Sequence, residues 1–306
     1  MSSTTYKNVI LVGGAGDAGK HILNALLADS SFNVTVLTRI DSKSTFPSNA
    51  KVVKVDYKDK NEIKKALTGQ DVVISAIGGS AHFEKLDLTL IEASVEAGVK
   101  WYIPSEFTAD TNHPRFSSIP FVSGKLEAIE LLKKHQSRIA HTLISTGGFL
   151  DWGFDNGFLG FDISKHTVTL YDEGKNYISA TTLPSIGKAV AAIIHHPELT
   201  LNKRIYIADA SFTQQQALAL FEKYSGTKWT VKHITTEDSL KQGADSVAKG
   251  DIVKGYRGYI MSAIYSEQGA SDFRGKTSND ALGVKTVSLE QAVKEAVERN
   301  KANATH

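Results

Sequence analysis

The most constraining feature of this sequence is a glycine-rich junction near its amino terminus. Residues 9–12 form an apolar run suited to a strand buried on both faces, and apolar residues recur at helical spacing over residues 22–27. Gly13, Gly16 and Gly19 lie three residues apart between these segments. Such a turn lets backbone amides approach a diphosphate, which the helix N-terminus also attracts. The pattern predicts a dinucleotide-binding turn, which also contains Asp17 and Ala18; an ordinary turn is the alternative.

The end of the second predicted strand distinguishes between the two nicotinamide cofactors. Sites that prefer NAD usually place an Asp or Glu there, whereas the 2′-phosphate of NADP requires a cation. This chain has Arg39 there, with Lys43 nearby, and a guanidinium matches the geometry of a phosphate. We therefore expect NADPH as cofactor, although Asp41 leaves NAD open.

The alternation of predicted strands and helices indicates an α/β fold with a doubly wound parallel sheet of the Rossmann type. Six strands are expected to end near residues 12, 39, 55, 76, 103 and 145. We expect residues 1–150 to form an NADP-binding Rossmann domain. Residues 151–306 are expected to form a smaller substrate-binding lobe, with parts returning to the first domain.

Composition narrows the range of partners. The 306 residues carry a net charge of only +2, so no basic surface for nucleic acid or an anionic membrane is expected. Cysteine is absent, and the ten histidines show no metal-ligand spacing with carboxylates, so no metal is expected. Neither a signal peptide nor a run of ~20 apolar residues is found, which predicts a cytoplasmic location. A monomer and a homodimer both remain open.

The carboxyl ends of the predicted strands supply further cofactor-binding candidates, because these ends meet at one edge of the sheet. Asp56 and Tyr57 follow the third strand and are expected beside the adenine. Asp56 would accept from the adenine amine or cap the next helix. The other candidates on this edge are Ala76, Ile77, Gly78, Ser105, Glu106, Phe107, Lys125 and Phe149.

An unusual concentration of aromatic residues and glycines follows the sixth strand. Such a segment suits a flat apolar ligand, and a hydrophobic plug that joins two lobes is an equally good interpretation. The residues expected to bind substrate are Phe149, Trp152, Phe154 and Phe158, together with Tyr256 in a predicted helix over residues 252–265.

Seven sequence blocks resemble a known family. Four are GGAGDAG at residues 13–19, DVVISAIG at 71–78, YIPSEF at 102–107 and SGKLEAIELL around Lys125. Three further blocks match in the second half, at residues 178–191, 201–209 and 288–297. They are similar to blocks of the NmrA-like atypical short-chain dehydrogenases, within the branch of isoflavone and phenylcoumaran benzylic ether reductases, and the fungal members are the closer match. The resemblance implies reduction of an aromatic natural product by NADPH, with Lys125 as general acid or base.

One departure from ordinary short-chain dehydrogenases affects the expected chemistry. Those enzymes place a Tyr four residues before the Lys, where this chain has Phe121, so Lys125 would act without a phenol. His113, in the loop before Lys125, is a weaker candidate for a second proton-transfer group, since a lone loop histidine is usually just exposed. Glu106 is expected to shape its turn or to orient Lys125.

We therefore expect an NADPH-dependent reductase that acts on a small aromatic or polycyclic secondary metabolite. Relatives of the NmrA type that bind NADP without evident turnover suggest a redox-sensing regulator as an alternative. A lyase or isomerase with no net redox change is a third possibility.

Overall fold

The computed structural model describes residues 6–78 and 81–304, with the backbone alone for residues 81–85 and 304. In chain order the strands are β1 (Asn8–Val12), β2 (Asn33–Arg39), β3 (Lys51–Val55), β4 (Val72–Ser75), β5 (Trp101–Ile103), β6 (Ala140–Ser145), β7 (Gly148–Phe149), β8 (Phe161–Asp162), β9 (Thr167–Tyr171), β10 (Tyr177–Thr181), β11 (Lys203–Tyr206), β12 (Ala210–Thr213) and β13 (Thr230–Ile234). The α-helices are α1 (Asp17–Leu27), α2 (Lys60–Leu67), α3 (Ala81–Ala97), α4 (Pro114–Ser117), α5 (Ser123–Lys134), α6 (Leu150–Asp155), α7 (Leu183–His195), α8 (Pro197–Thr200), α9 (Gln214–Ser225), α10 (Thr236–Ala248), α11 (Ile252–Tyr265) and α12 (Leu289–Ala304).

Seven strands form one central parallel sheet in the order β11-β6-β5-β4-β1-β2-β3. The chain first runs outward from β1 to β3 and then returns to β4 and continues to the opposite edge. The strand order therefore reverses between β1 and β4, and in such sheets a ligand-binding crevice lies beyond the carboxyl ends at this reversal. The predicted doubly wound fold is confirmed, with a seventh strand, β11, that the sequence pattern had not placed in this sheet.

The strand β1 shows why the sheet is buried on both faces. Val9 and Leu11 pack with α1 and α7, whereas Ile10 and Val12 pack with α2, α3 and α5. All four side chains are fully buried. A strand covered by helices on both sides needs apolar residues at every position, which explains the continuous apolar run.

The second half of the chain adds two smaller sheets, in the orders β12-β10-β7 and β13-β9-β8. Their shared core is rich in aromatic side chains, including Phe161, Phe212 and Phe221. The predicted division at residue 150 stays a prediction, and parts of its two units, residues 1–5, 79–80 and 305–306, lie outside the described residues. Within those described, β11 pairs with β6, and α7 packs against α1.

A buried cluster of polar groups joins β11 to the segment after β5. The guanidinium of Arg204, on β11, donates to Glu106 Oε2 at 3.1 Å and to Ser145 Oγ at 2.8 Å. It also donates to Thr111 Oγ1 at 2.7 Å. The side chains of Arg204 and Glu106 are only 8% and 1% exposed. Because each charge is buried against the other, neither residue can be removed alone at low cost.

We expect Arg204→Met to destabilise the fold by about 3–5 kcal/mol, because it leaves the Glu106 carboxylate buried without its cation. Urea unfolding measures this change. The matched control is Lys133→Ala, which breaks an exposed ion pair with Glu130 on α5 and is expected to change stability by less than about 0.5 kcal/mol. A loss in Arg204→Met as small as that of the control would contradict the structural role of the buried pair.

Candidate active site

A cavity of about 350 Å³ lies at the carboxyl end of the central sheet. Its lining includes these predicted cofactor-binding residues: Gly16, Asp17, Ala18, Ala76, Ile77, Gly78, Ser105, Phe107, Lys125 and Phe149. It also includes the predicted substrate-binding residues Trp152, Phe158 and Tyr256. The structure therefore brings together residues that lie far apart in the sequence, at the edge where the strand order predicts a ligand site.

The glycine turn after β1 packs too closely for side chains. Gly13 has a φ of +84°, and a Cβ there would lie 2.6 Å from the carbonyl oxygen of Ala76. A Cβ on Gly19 would lie 2.0 Å from the carbonyl oxygen of Gly13. The turn thus brings the backbone of α1 directly against the loops after β1 and β4, which is the geometry that the glycine spacing predicts.

The N-terminus of α1 opens into the cavity. Gly16 is its N-cap, and because glycine has no side chain, the cap residue gives the first helical amides no side-chain acceptor. Gly16, Asp17 and Ala18 all line the cavity. Amides of a first helical turn have no intrahelical acceptor, and the helix dipole favours an anion beside them. The turn therefore fits the pyrophosphate of a dinucleotide through backbone groups.

Exposed cations lie at the end of β2, beside this turn. Arg39 Nε is 3.8 Å from Asp41 Oδ1, an exposed and therefore weak ion pair, and Lys43 is also exposed. Lys54, from β3, donates to the carbonyl of Ser42 at 2.8 Å and so fixes the loop that follows Arg39. The two predicted phosphate ligands thus lie at the sheet edge next to the glycine turn but outside the lining of the cavity.

Asp56 and Tyr57 follow β3. The carboxylate of Asp56 accepts from the amide of Lys58 at 2.9 Å, while Asp59 caps α2. The alternative that Asp56 caps this helix is therefore wrong, because the cap is Asp59, three residues later. The hydroxyl of Tyr57 donates to the carbonyl of Leu37 at 3.1 Å, and burial raises the pKa of Tyr57. Neither residue lines the cavity.

Lys125 lies on the first turn of α5 and is half-buried in the cavity wall. Its Nζ donates to the carbonyl oxygen of Ser105, in the loop after β5. The hydroxyl of Ser105 in turn donates to the carbonyl of Ile77 at 2.6 Å, in the loop after β4. The lysine is thus fixed relative to the two loops that flank the expected cofactor site.

Phe121 occupies the position of the missing phenol and packs against aromatic rings of α11. Its ring makes edge-to-face contacts with Tyr256 and Tyr259 of α11, with centroid distances of 5.9 and 6.1 Å. Phe121 therefore supports α11, the helix that covers one side of the cavity.

Two predicted site residues have structural roles instead. Nδ1 of His113 accepts from the amide of Arg115 at 3.3 Å, and His113 is the N-cap of α4. Phe154 is 1% exposed and packs edge-to-face on Phe161 and Phe221, because its side of α6 faces the second core. Neither residue lines the cavity, so we assign capping to His113 and core packing to Phe154.

Three further predicted residues lie behind the lining. Gly13 and Gly19 shape the turn through their backbone, whereas the carboxylate of Glu106 is turned towards Arg204. Glu106 therefore shapes the loop after β5, which is one of the two roles expected for it.

Aromatic and aliphatic side chains form another part of the cavity wall. Trp152 packs against Phe149 and Phe158, with centroid distances of 6.5 and 5.4 Å. The helix α11 adds Tyr256, Ile260 and Ile264, which share one helical face because they are four residues apart. The segment after β6 is thus no plain loop; it forms β7 and α6, and it contributes to both the cavity and the core.

Sequence reasoning missed three polar residues in the lining, Asp87, Thr108 and Ser271. Asp87 precedes Leu90 and Ile91 by three and four positions, so a carboxylate on the buried face of α3 was a readable signal. Ser271 is 1% exposed, and its hydroxyl has no hydrogen-bond partner among the described residues. Because the oxygen has almost no exposed surface, a ligand atom would reach it only after its neighbours move.

The described part of the chain contains no group of three or more His, Asp or Glu side chains arranged to hold a metal ion. Across residues 6–78 and 81–304, no helix combines the length and the apolar character needed to cross a membrane.

Comparison with known proteins agrees with this geometry. A model of the NmrA-like family matches residues 5–259. The oxidoreductase aprR of Aspergillus flavus is 37% identical over 80% of this chain and 83% of its own length. Bifunctional pinoresinol-lariciresinol reductase 2 of Thuja plicata is 29% identical over 76% of this chain and 80% of its own. A solved structure of AtPrR2 with NADP+ and (+)-pinoresinol has a TM-score of 0.77 and 23% identity, and the match covers 96% of this chain and 100% of that one.

The close packing of the glycine turn gives a direct test. We expect Gly19→Ala to destabilise the ligand-free protein by about 1–3 kcal/mol, because its Cβ would clash with the carbonyl of Gly13. The control is Gly78→Ala, where a Cβ meets no atom within 4 Å among the described residues. Urea unfolding of both variants checks the prediction, and equal stabilities would contradict it.

Proposed function

This chain belongs to the NmrA-like family, and we propose that it is an NADPH-dependent reductase of a small aromatic or polycyclic metabolite. The predicted resemblance to that family and to its fungal members is confirmed. The observation that carries the proposal is the cavity, where a glycine turn suited to a pyrophosphate, a fixed lysine and an aromatic wall meet. The names of the relatives from Aspergillus flavus and Thuja plicata support a reductase.

Each part of the site has a role in holding the cofactor. The turn from Gly13 to Gly19 and the N-terminus of α1 would hold the pyrophosphate. Arg39 and Lys43 would bind the 2′-phosphate, and Asp56 and Tyr57 would lie near the adenine. The nicotinamide would lie against some of the other lining residues, which are Ala76, Ile77, Gly78, Ser105, Phe107, Lys125 and Phe149. When bound, NADPH supplies the hydride.

The rest of the lining defines the substrate class. Trp152, Phe158, Tyr256 and the aliphatic residues of α11 favour a flat apolar molecule. The cavity of about 350 Å³ would also have to hold part of the cofactor, so it favours a small substrate. A small aromatic molecule satisfies both features.

Lys125 is the proposed proton-transfer group. Its Nζ reaches the cavity while the carbonyl of Ser105 accepts from it, so its direction is fixed. The lysine can therefore give a proton to an oxygen of the substrate, or take one from it, without rearrangement of its neighbours. Because Phe121 offers no hydroxyl, this role falls to the lysine without the phenol that ordinary short-chain dehydrogenases use.

Lys125→Ala tests this function. We expect its kcat to fall by about 10²–10⁴-fold, since general acid–base catalysis contributes about that much, while NADPH still binds. NADPH consumption is followed with (+)-pinoresinol, chalcone, dihydrobenzofuran lignans and menadione as acceptors, and NADPH binding by fluorescence titration. The control is Lys133→Ala, on the exposed part of the same helix.

The outcomes of this experiment separate the alternatives. Wild-type turnover that Lys125→Ala retains would contradict the role of the lysine. Tight NADPH binding with no turnover of any acceptor would favour a redox sensor. Conversion of an acceptor into a product without NADPH consumption would indicate a lyase or isomerase.

Cofactor preference depends on the cation after β2. We expect Arg39→Ala to weaken NADPH binding about tenfold or more and to leave NADH binding unchanged. The variant would remove a charge-assisted hydrogen bond to the 2′-phosphate, a group that NADH does not have. Lys51→Ala is the control, since Lys51 begins β3 at the opposite end of the sheet. Dissociation constants of both cofactors for the three proteins decide the matter; an equal loss for NADH would contradict the proposed contact.

A further inference from the structure

Asp87 is a buried acidic group in the cavity wall that the proposed chemistry does not yet use. It lies on α3, it is 6% exposed, and it lines the cavity together with Ser105 and Lys125. A carboxyl group buried on the apolar face of a helix is costly unless hydrogen bonds compensate for the lost water. The hydrogen-bond partners of Asp87 therefore indicate the role of its carboxyl group.

Two donors from β5 and its following loop point at Asp87. The hydroxyl of Tyr102 donates to Oδ1 at 2.5 Å, and the amide of Ser105 makes a longer contact with Oδ2 at 3.4 Å. Tyr102 is completely buried, and burial together with the neighbouring Asp87 raises the pKa of its hydroxyl well above the ordinary value. Tyr102 therefore keeps its proton and acts as a donor that anchors the carboxyl group.

Lys125 lies close enough to act on the same group. Burial raises the pKa of Asp87, while the hydrogen bond from Tyr102 and the positive charge of Lys125 act in the opposite direction. Asp87 and Lys125 come from different helices, α3 and α5, and the loop after β5 runs between them. Ser105 in this loop contacts both, since its amide faces Asp87 and its carbonyl accepts from Lys125.

We propose that Asp87 is a positioning residue for the reaction: anchored by Tyr102, it holds the backbone of Ser105, whose carbonyl directs the Nζ of Lys125 into the cavity. The inference rests on the proposed function, because it assigns Asp87 a role through Lys125. A shift of about 1 Å in a reacting group can cost about 10²-fold in rate, so a residue that holds the carbonyl acceptor of the lysine affects kcat without touching the substrate.

The test compares Asp87→Asn with Tyr102→Phe. Asparagine keeps the size of the side chain but has only one acceptor oxygen. If that oxygen accepts from Tyr102, the NH2 group faces the amide of Ser105, and if it accepts from Ser105, Tyr102 loses its acceptor. We expect kcat to fall about tenfold to a hundredfold in Asp87→Asn and less in Tyr102→Phe, with the NADPH dissociation constant unchanged. The solvent deuterium isotope effect on kcat is expected to rise in both, because proton transfer becomes slower relative to other steps.

The matched control is Ser94→Ala, also on α3. It removes a buried hydroxyl that bonds to the carbonyl of Leu90 and lies outside the lining of the cavity. We expect a small loss of stability in urea unfolding and no change in kcat or in the isotope effect. A crystal structure of ligand-free Asp87→Asn provides a readout besides activity, and Lys125 is expected to have left the carbonyl of Ser105.

The results distinguish this inference from the proposed function. If the wild type turns over and Lys125→Ala does not, an unchanged kcat in folded Asp87→Asn overturns the inference and leaves the function intact. A reduced kcat with an unchanged isotope effect and an unmoved Lys125 also overturns it, since the loss would then be merely structural. If Asp87→Asn fails to fold, Tyr102→Phe decides by the same measurements. No turnover by the wild type overturns the function and this inference with it.

Discussion

The buried guanidinium of Arg204 determines much of the arrangement around the site. A buried cation requires acceptors, and Arg204 finds them in Glu106, Thr111 and Ser145, on segments after β5 and at the end of β6. These bonds fix the position of the loop after β5 from the side that faces away from the cavity. The same loop presents Ser105 to Lys125, so the position of the lysine depends on an ion pair that lies outside the cavity. A strand from the second half of the chain thus supports a site built mainly by the first half.

Features with a local physical cause were readable from the sequence. The strands β3 and β5 end where predicted and the helix α11 has the predicted bounds, because apolar runs and helical spacing depend on neighbouring residues alone. The glycine turn was readable for the same reason: only glycine tolerates the approach of Gly19 to the carbonyl of Gly13. Most of the cavity lining then followed from the topology, since parallel strands bring their carboxyl ends to one edge.

Features that depend on contacts between distant segments were not readable. Trp152 and Phe154 look alike in the sequence, yet opposite faces of α6 place one in the cavity wall and the other in the core. The helix α10 was missed because its contact with α11 is made by Gly243, Gly255 and Gly258 rather than by an apolar stripe. The role of His113 as a cap depends on a turn that its residue type does not reveal.

The two walls of the cavity differ in how they are made. The side with the glycine turn consists largely of backbone, and at Gly13 and Gly19 one added carbon atom would collide with main-chain atoms. The other side consists of side chains on α6 and α11, which can be exchanged while the backbone stays in place. A chain with this construction can acquire a new substrate through a few substitutions on α11 without a new cofactor site.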